Sequence, residues 1–182
     1  MNRAQLQSRV KLSKSKGFTL IELIVVIVIL GILAVTAAPK FINFTDDATK
    51  AAFSGINGGM ASSMTIIYSK AAVSDTIKEA TQTISGANIV FGYPDASLTG
   101  IVKAAEVSSG LFSEDKTTDY TYIIDTAATP DELYFTPSSK LGTLGAAAAT
   151  KAEITATNCY IQYTAAADKD TAAILNHIQT GC

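Results

Sequence analysis

Residues 18–38 form a nearly unbroken apolar run, in which Thr19, Glu22 and Thr36 are the polar exceptions. A helix needs roughly 20 such residues to cross a bilayer. Beyond Pro39 the pattern turns amphipathic. Apolar or small residues recur at Phe41, Phe44, Ala48, Ala52, Ile56, Met60, Met64, Ile67 and Ala71, close to the helical period. Asp46, Asp47, Lys50, Asn57 and Lys70 fall largely off that stripe, as a solvent face requires. The spacing predicts one long helix from Phe18 to about Tyr68. Pro39 removes a backbone donor and crowds the preceding turn, so a kink is expected there. Gly55, Gly58 and Gly59, around Asn57, are a second weak place, at about 1 kcal/mol per glycine relative to alanine. They read as close packing of the helix against a sheet, or as a helix that ends near Asn57 and restarts at Met60. An unbroken helix is the expectation.

Past Ser69 the composition shifts to Thr, Ser, Ala and Gly, with no second membrane-length run. Ile89-Val90-Phe91 reads as a short strand before the turn Gly92-Tyr93-Pro94-Asp95, and residues 100–107 as a two-turn helix. Strands are expected over 120–124, 132–136, 158–164 and 172–179, with turns at Pro130-Asp131, Pro137-Ser138 and Asp168-Lys169-Asp170. In Cys159-Tyr160-Ile161-Gln162-Tyr163 the odd positions should share one face. Short turns favour antiparallel pairing, with the sheet packed on the outer half of the long helix. The fold class is therefore α+β. Residues 142–150, rich in alanine, are a surface loop or a short helix.

Charge sharpens the picture at the other end. Arg3, Arg9, Lys11, Lys14 and Lys16 precede the apolar run and no acid does, which keeps that end cytoplasmic and places the chain beyond Pro39 outside. A secretory signal has its apolar stretch before the cut; here the order is reversed. Glu22 stands alone in the run, where a charge costs about 2.5–3.5 kcal/mol on lenient insertion scales, so it is a functional residue by default.

Gly17-Phe18-Thr19-Leu20-Ile21-Glu22 behind a basic leader resembles the processing motif of type IV prepilins and the related pseudopilins. The resemblance implies a prepilin peptidase that cuts between Gly17 and Phe18 and methylates the new amino group of Phe18. It implies that Glu22 pairs with the N-terminal nitrogen of a neighbouring subunit during assembly. It further implies that the helix unwinds between Gly31 and Pro39 in the filament. The domains would then be a leader, 1–17, an apolar assembly helix, 18–39, and the rest of the helix with a globular head, 40–182. Residues 25–41, with Gly92-Tyr93-Pro94 and Gly100-Ile101, are similar to mannose-sensitive haemagglutinin pilins, which implies adhesion and biofilm formation. The implied partners are further copies of the chain, the peptidase, an inner-membrane assembly platform and a surface or host receptor.

Cys159 and Cys182 are expected to pair, as cysteines of an outside domain do. A C-terminal disulfide loop is also typical of type IV pilins. His177 is the single histidine and reads as structural. Asp46-Asp47, Glu114-Asp115 and Asp168 with Asp170 read as helix, turn or cap residues, and two carboxylates leave too few ligands for calcium. No cofactor, metal site or catalytic constellation is expected, so the chain does not read as an enzyme. The chain carries 14 Lys and Arg against 16 Asp and Glu. Loss of the five leader charges leaves 9 against 16, and a mature net charge of −7 disfavours binding to nucleic acid. Two other functions fit parts of this pattern. A type II secretion pseudopilin shares the leader and helix but usually lacks the disulfide. A signal-anchored lectin-like adhesin would need neither Gly17-Phe18 nor Glu22.

Overall fold

The computed structural model describes residues 17–108, 110, 112–114, 117–142 and 148–182. The expected leader, except Gly17, lies outside the described residues, as does the middle of the alanine-rich stretch. The chain forms two compact units, Met1–Asn43 and Phe44–Cys182. One helix, α1 (Leu20–Val73), continues from the first into the second, unbroken through Gly31, Pro39 and Gly55–Gly59.

In the first unit, the described apolar side chains of α1 from Leu20 to Val35 are all exposed. The stretch Leu20–Ala37 is long and apolar enough to cross a membrane. Thr36 turns its hydroxyl back onto the Leu33 carbonyl at 3.0 Å, so that donor needs no outside partner.

In the second unit, α1 buries Phe53, Met60, Ile67 and Ala71. Three of these are seven residues apart, two helical turns, and define the inward face. This face is rotated from the predicted stripe, because Phe44, Ala48 and Ala52 are exposed. Small alanines mark no face, and the bulk of Phe53 decides it. Phe53 is fully buried, edge-on to Phe135 at 5.5 Å and to His177 at 5.2 Å, and stacked with Tyr120 at 5.9 Å. The histidine is thus part of the aromatic packing.

Two sheets follow. The first is an antiparallel meander of β1 (Gln82–Ile84), β2 (Ala87–Val90) and β3 (Tyr93–Pro94). Its two-residue turns, Ser85-Gly86 and Phe91-Gly92, have positive φ at both positions (54° and 81°; 47° and 84°), the geometry whose twist suits a tight hairpin. Ile67 and Ala71 pack on Ile89 of β2. Leu98–Val102 is a π-helical turn capped by Ser97, where an ordinary two-turn helix was expected.

The second sheet has the order β4-β5-β6-β7-β8: β4 (Phe112–Ser113), β5 (Tyr120–Asp125), β6 (Glu132–Pro137), β7 (Tyr160–Thr164) and β8 (Ile174–Ile178). All pairings are antiparallel except β4 with β5, a parallel contact that turn lengths did not announce. Central β6 is buried on both faces. Leu133 and Phe135 join Phe53 and Met60 in the main core. Tyr134 joins Leu141, Ala149 and Ile154 beneath α2 (Lys151–Ala156), a helix opened by a Thr150–Glu153 capping box. On β7, Ile161 and Tyr163 are buried on the expected odd face with Cys159 just before them. The Tyr163 hydroxyl donates to the Pro94 carbonyl at 2.5 Å, which ties the two sheets together.

Candidate functional site

The residues marked by the sequence lie at the start of α1. Gly17, Phe18 and Thr19 are non-helical and α1 begins at Leu20, so the Gly17–Phe18 bond lies outside the helix. Phe18 is 92% exposed, and among the described residues no heavy atom lies within 4 Å of where a Gly17 Cβ would stand, apart from its chain neighbours. Thr19 caps the helix. Its backbone N–H and its hydroxyl each donate to Glu22 Oε2 at 2.8 Å, while the Glu22 N–H donates to Thr19 Oγ1 at 3.3 Å. This is a reciprocal capping box, legible as Thr-x-x-Glu but missed in reading the sequence for its acid alone. The carboxylate also faces the positive end of the helix dipole.

The first turn therefore combines three things: an accessible peptide bond in non-helical backbone, an aromatic side chain directly after it, and a carboxylate held within one helical turn. Cleavage at that bond would leave a new amine on Phe18, four residues before Glu22, the N3 position of the box. Gly31 and Pro39 lie within α1, and their backbone is helical.

At the far end of the chain Cys159 and Cys182 form a disulfide across a sequence separation of 23. Gly181 makes this approach possible. A Cβ there would stand 2.0 Å from the Thr157 carbonyl oxygen, where the Gly181 N–H donates to the Asn158 carbonyl at 2.8 Å. Lys140 Nζ adds a second tie, donating to the Cys182 carbonyl at 2.7 Å and to Asp46 Oδ1 of α1 at 3.1 Å. Sequence reading found the cysteines but neither Gly181 nor Lys140.

A polar cluster lies on the α2 side of the second sheet. Lys151 Nζ is 2.8 Å from both Asp125 Oδ2 and Glu132 Oε2, and 4.6 Å from the centre of the Tyr134 ring. The ammonium holds the Asp125 carboxyl below its usual range by direct hydrogen bonding. Burial pushes Glu132 up, but hydrogen bonds from Lys151, Tyr134 and Gln162 bring it below its usual range overall. Hydrogen bonds to the two acids and to Tyr134 raise Lys151. Asp168 and Asp170 form a turn in which Asp168 Oδ1 accepts from the Asp170 N–H and the Thr171 hydroxyl. Among the described residues, no group of three or more His, Cys, Asp or Glu could hold a metal ion.

Residues 12–38 match the family described as the prokaryotic N-terminal methylation motif. The chain is also 58% identical over 38 residues to the type IV narrow pilus major component PilA5 of Thermus thermophilus. That match covers 21% of this chain and 33% of the relative, so the chain spans about a third of the length of the curated relative it matches. No solved structure matches it. An apolar N-terminal helix leading into a helix-backed β-sheet is an α+β, pilin-like architecture. The motif and the relative together support a type IV pilin.

Proposed function

We propose that this chain is a type IV prepilin, held in the inner membrane by residues 18–39 with its leader in the cytoplasm, and polymerised into an extracellular pilus. Prepilin peptidase cuts between Gly17 and Phe18 and methylates Phe18. An inner-membrane platform then adds the subunit to a filament of identical chains. Glu22 pairs with the amine of the neighbouring subunit, and the stretch from Gly31 to Pro39 unwinds as the helices pack. Residues 40–182 form the outer face of the filament, which serves adhesion and biofilm formation through a surface or host receptor. The likeness of residues 25–41 to mannose-sensitive haemagglutinin pilins supports that last role.

The observation that carries this reading is the start of α1. A carboxylate in a membrane-length apolar helix follows an exposed glycine–aromatic bond, within residues that match the methylation motif. Lipid and a bundle of like helices are equally apolar, so assembly gains little from burial and depends on packing and on compensating the acid.

The test is the intact mass and N-terminal residue of the protein sheared from the surface of native cells. A filament-borne chain that starts at Phe18, carries one extra methyl group and is two hydrogens light is the expected result. The same processed chain confined to the envelope would point to a secretion pseudopilin instead. A chain retaining residues 1–17 would overturn the reading.

A further inference from the structure

One groove on the second unit combines polar and charged groups left without ionic partners. Gly59, Ser62, Ile66 and Lys70 of α1 line one side, and the Ser85-Gly86 turn and residues 98–108 contribute the rest. Two adjoining cavities, of about 320 and 780 Å³, share Ser85, Lys103 and Glu106. These volumes are those of small-molecule sites.

The charges in this groove are not neutralised internally. Lys140, Lys151 and Lys169 all sit in ion pairs. Lys70 and Lys103, like Lys50 and Lys78 elsewhere, sit in none among the described residues, and Lys70 Nζ donates to the Ser85 hydroxyl at 2.8 Å. Glu106 lines the same cavities, joined to neither lysine by an ion pair. Two ammonium groups and a carboxylate bordering one space offer donors and an acceptor to a ligand. Ser108 adds a hydroxyl, as does Thr99, whose Oγ1 already accepts from Asn88 Nδ2 at 3.1 Å and lies 3.0 Å from Ser97 Oγ, and Ile66 presents an exposed apolar face. Glu106 holds a positive φ of 55°, a costly conformation for a non-glycine residue.

We propose that this groove binds a small anionic polyhydroxyl ligand, in chemical class an acidic sugar residue, with its carboxylate on Lys70 and Lys103 and its hydroxyls on Glu106, Ser85 and Thr99. Ammonium groups match a carboxylate, an ionised Glu accepts only from donors such as sugar hydroxyls, and Ile66 suits the C–H face of a pyranose. A bare phosphate ion would use the cations but neither Glu106 nor most of the volume. The groove lies wholly within residues 44–182, and its test needs no filament.

The test is calorimetric titration of the full chain, solubilised in detergent, with a diuronate, a neutral disaccharide and inorganic phosphate. The diuronate should bind, with the neutral sugar and phosphate weaker by about tenfold or more. Lys103→Glu and Lys70→Glu should each weaken the diuronate by a similar factor, and Lys50→Glu, on α1 outside the groove, should not. Circular dichroism and the intact disulfide mass establish folding; Lys103→Gln replaces any charge reversal that does not fold. Unchanged binding in the Lys103 variant, equal affinity for phosphate, or no binding at millimolar diuronate would overturn the proposal. So would a change in oligomeric state on charge reversal with no diuronate binding, which would make the groove a contact between copies of the chain.

Discussion

Thr19 holds Glu22 by one oxygen: its amide and its hydroxyl both donate to Oε2, while Oε1 takes no hydrogen bond among the described residues. The acid thus serves its own helix before it serves any neighbour. Two donors that begin an apolar segment are satisfied without water, and the carboxylate keeps one free edge.

Glu22→Gln separates these duties. Glutamine also completes a capping box, so the helix start should persist while the charge is lost. If the charge drives assembly, Glu22→Gln and Glu22→Ala should both be inserted and cleaved normally and yet give few filaments. Thr19→Val removes the hydroxyl half of the box, about 1 kcal/mol of helix stability, and should lower filament yield less. Immunoblots of sheared and cell-bound fractions measure all three. Normal filament yield from Glu22→Gln would show that the cap, and not the charge, is what assembly needs.

A second prediction concerns the end of the chain. Cys182→Ser should lower stability by about 3 kcal/mol on the chain-entropy account, because the loop closed by Cys159 is of moderate length. Gly181→Ala should reach much of that loss with both cysteines present. Its Cβ would collide with the fixed backbone oxygen of Thr157, at 2.0 Å, rather than with a movable side chain. Thiol titration and thermal unfolding check both. A fully oxidised Gly181→Ala protein of wild-type stability would mean that the tail can be rerouted.

The elements with strong local signals were legible in the sequence. The alternation of Cys159, Ile161 and Tyr163 placed β7, and the apolar run followed by the i+4 pattern placed α1. The inward face of the helix was not legible, because Ala48 and Ala52 fit the period without having the bulk to be buried. The glycine reading also needs correction. Among the described residues, nothing beyond the helix's own backbone and chain neighbours lies within 4 Å of a Cβ built at Gly55, Gly58 or Gly59, so packing against a sheet does not explain them. β1, β4 and α2 are too short to show periodicity, although Thr150-x-x-Glu153 marked the start of α2 as Thr19-x-x-Glu22 marked that of α1. At the site, Gly17, Phe18 and Glu22 could be read from one motif, whereas Lys140 and Gly181 act through contacts distant in sequence.

The third prediction tests the corrected face. Phe53→Ala should destabilise residues 44–182 by roughly 3–5 kcal/mol, since it empties a site shared with Phe135, Tyr120 and His177. Phe44→Ala, at a position 71% exposed, should change stability by less than about 0.5 kcal/mol. The predicted stripe gave the opposite order. Chemical unfolding of the solubilised chain, followed by tyrosine fluorescence, decides between them.

The last prediction concerns Lys151 and acid. Asp125 and Glu132 titrate below their usual range in the folded chain, so their contribution to stability is complete above the unfolded carboxylate range and is lost as pH falls through the folded values. Lys151 is raised, so its share is complete at neutral pH and is lost only in strong alkali. Wild-type protein should therefore be flat in stability near neutrality and weaken below about pH 4. Lys151→Met keeps the stem on Tyr134 but removes the charge that lowers both acids. Its stability should fall at neutral pH, where two neighbouring carboxylates are left uncompensated, and its acid limb should be shallower. The neutral loss will be modest because the ammonium is 42% exposed and solvent screens the pair. Melting temperatures from pH 3 to 8 for both proteins give the comparison, and parallel curves would mean that the cluster contributes nothing to the pH dependence of folding.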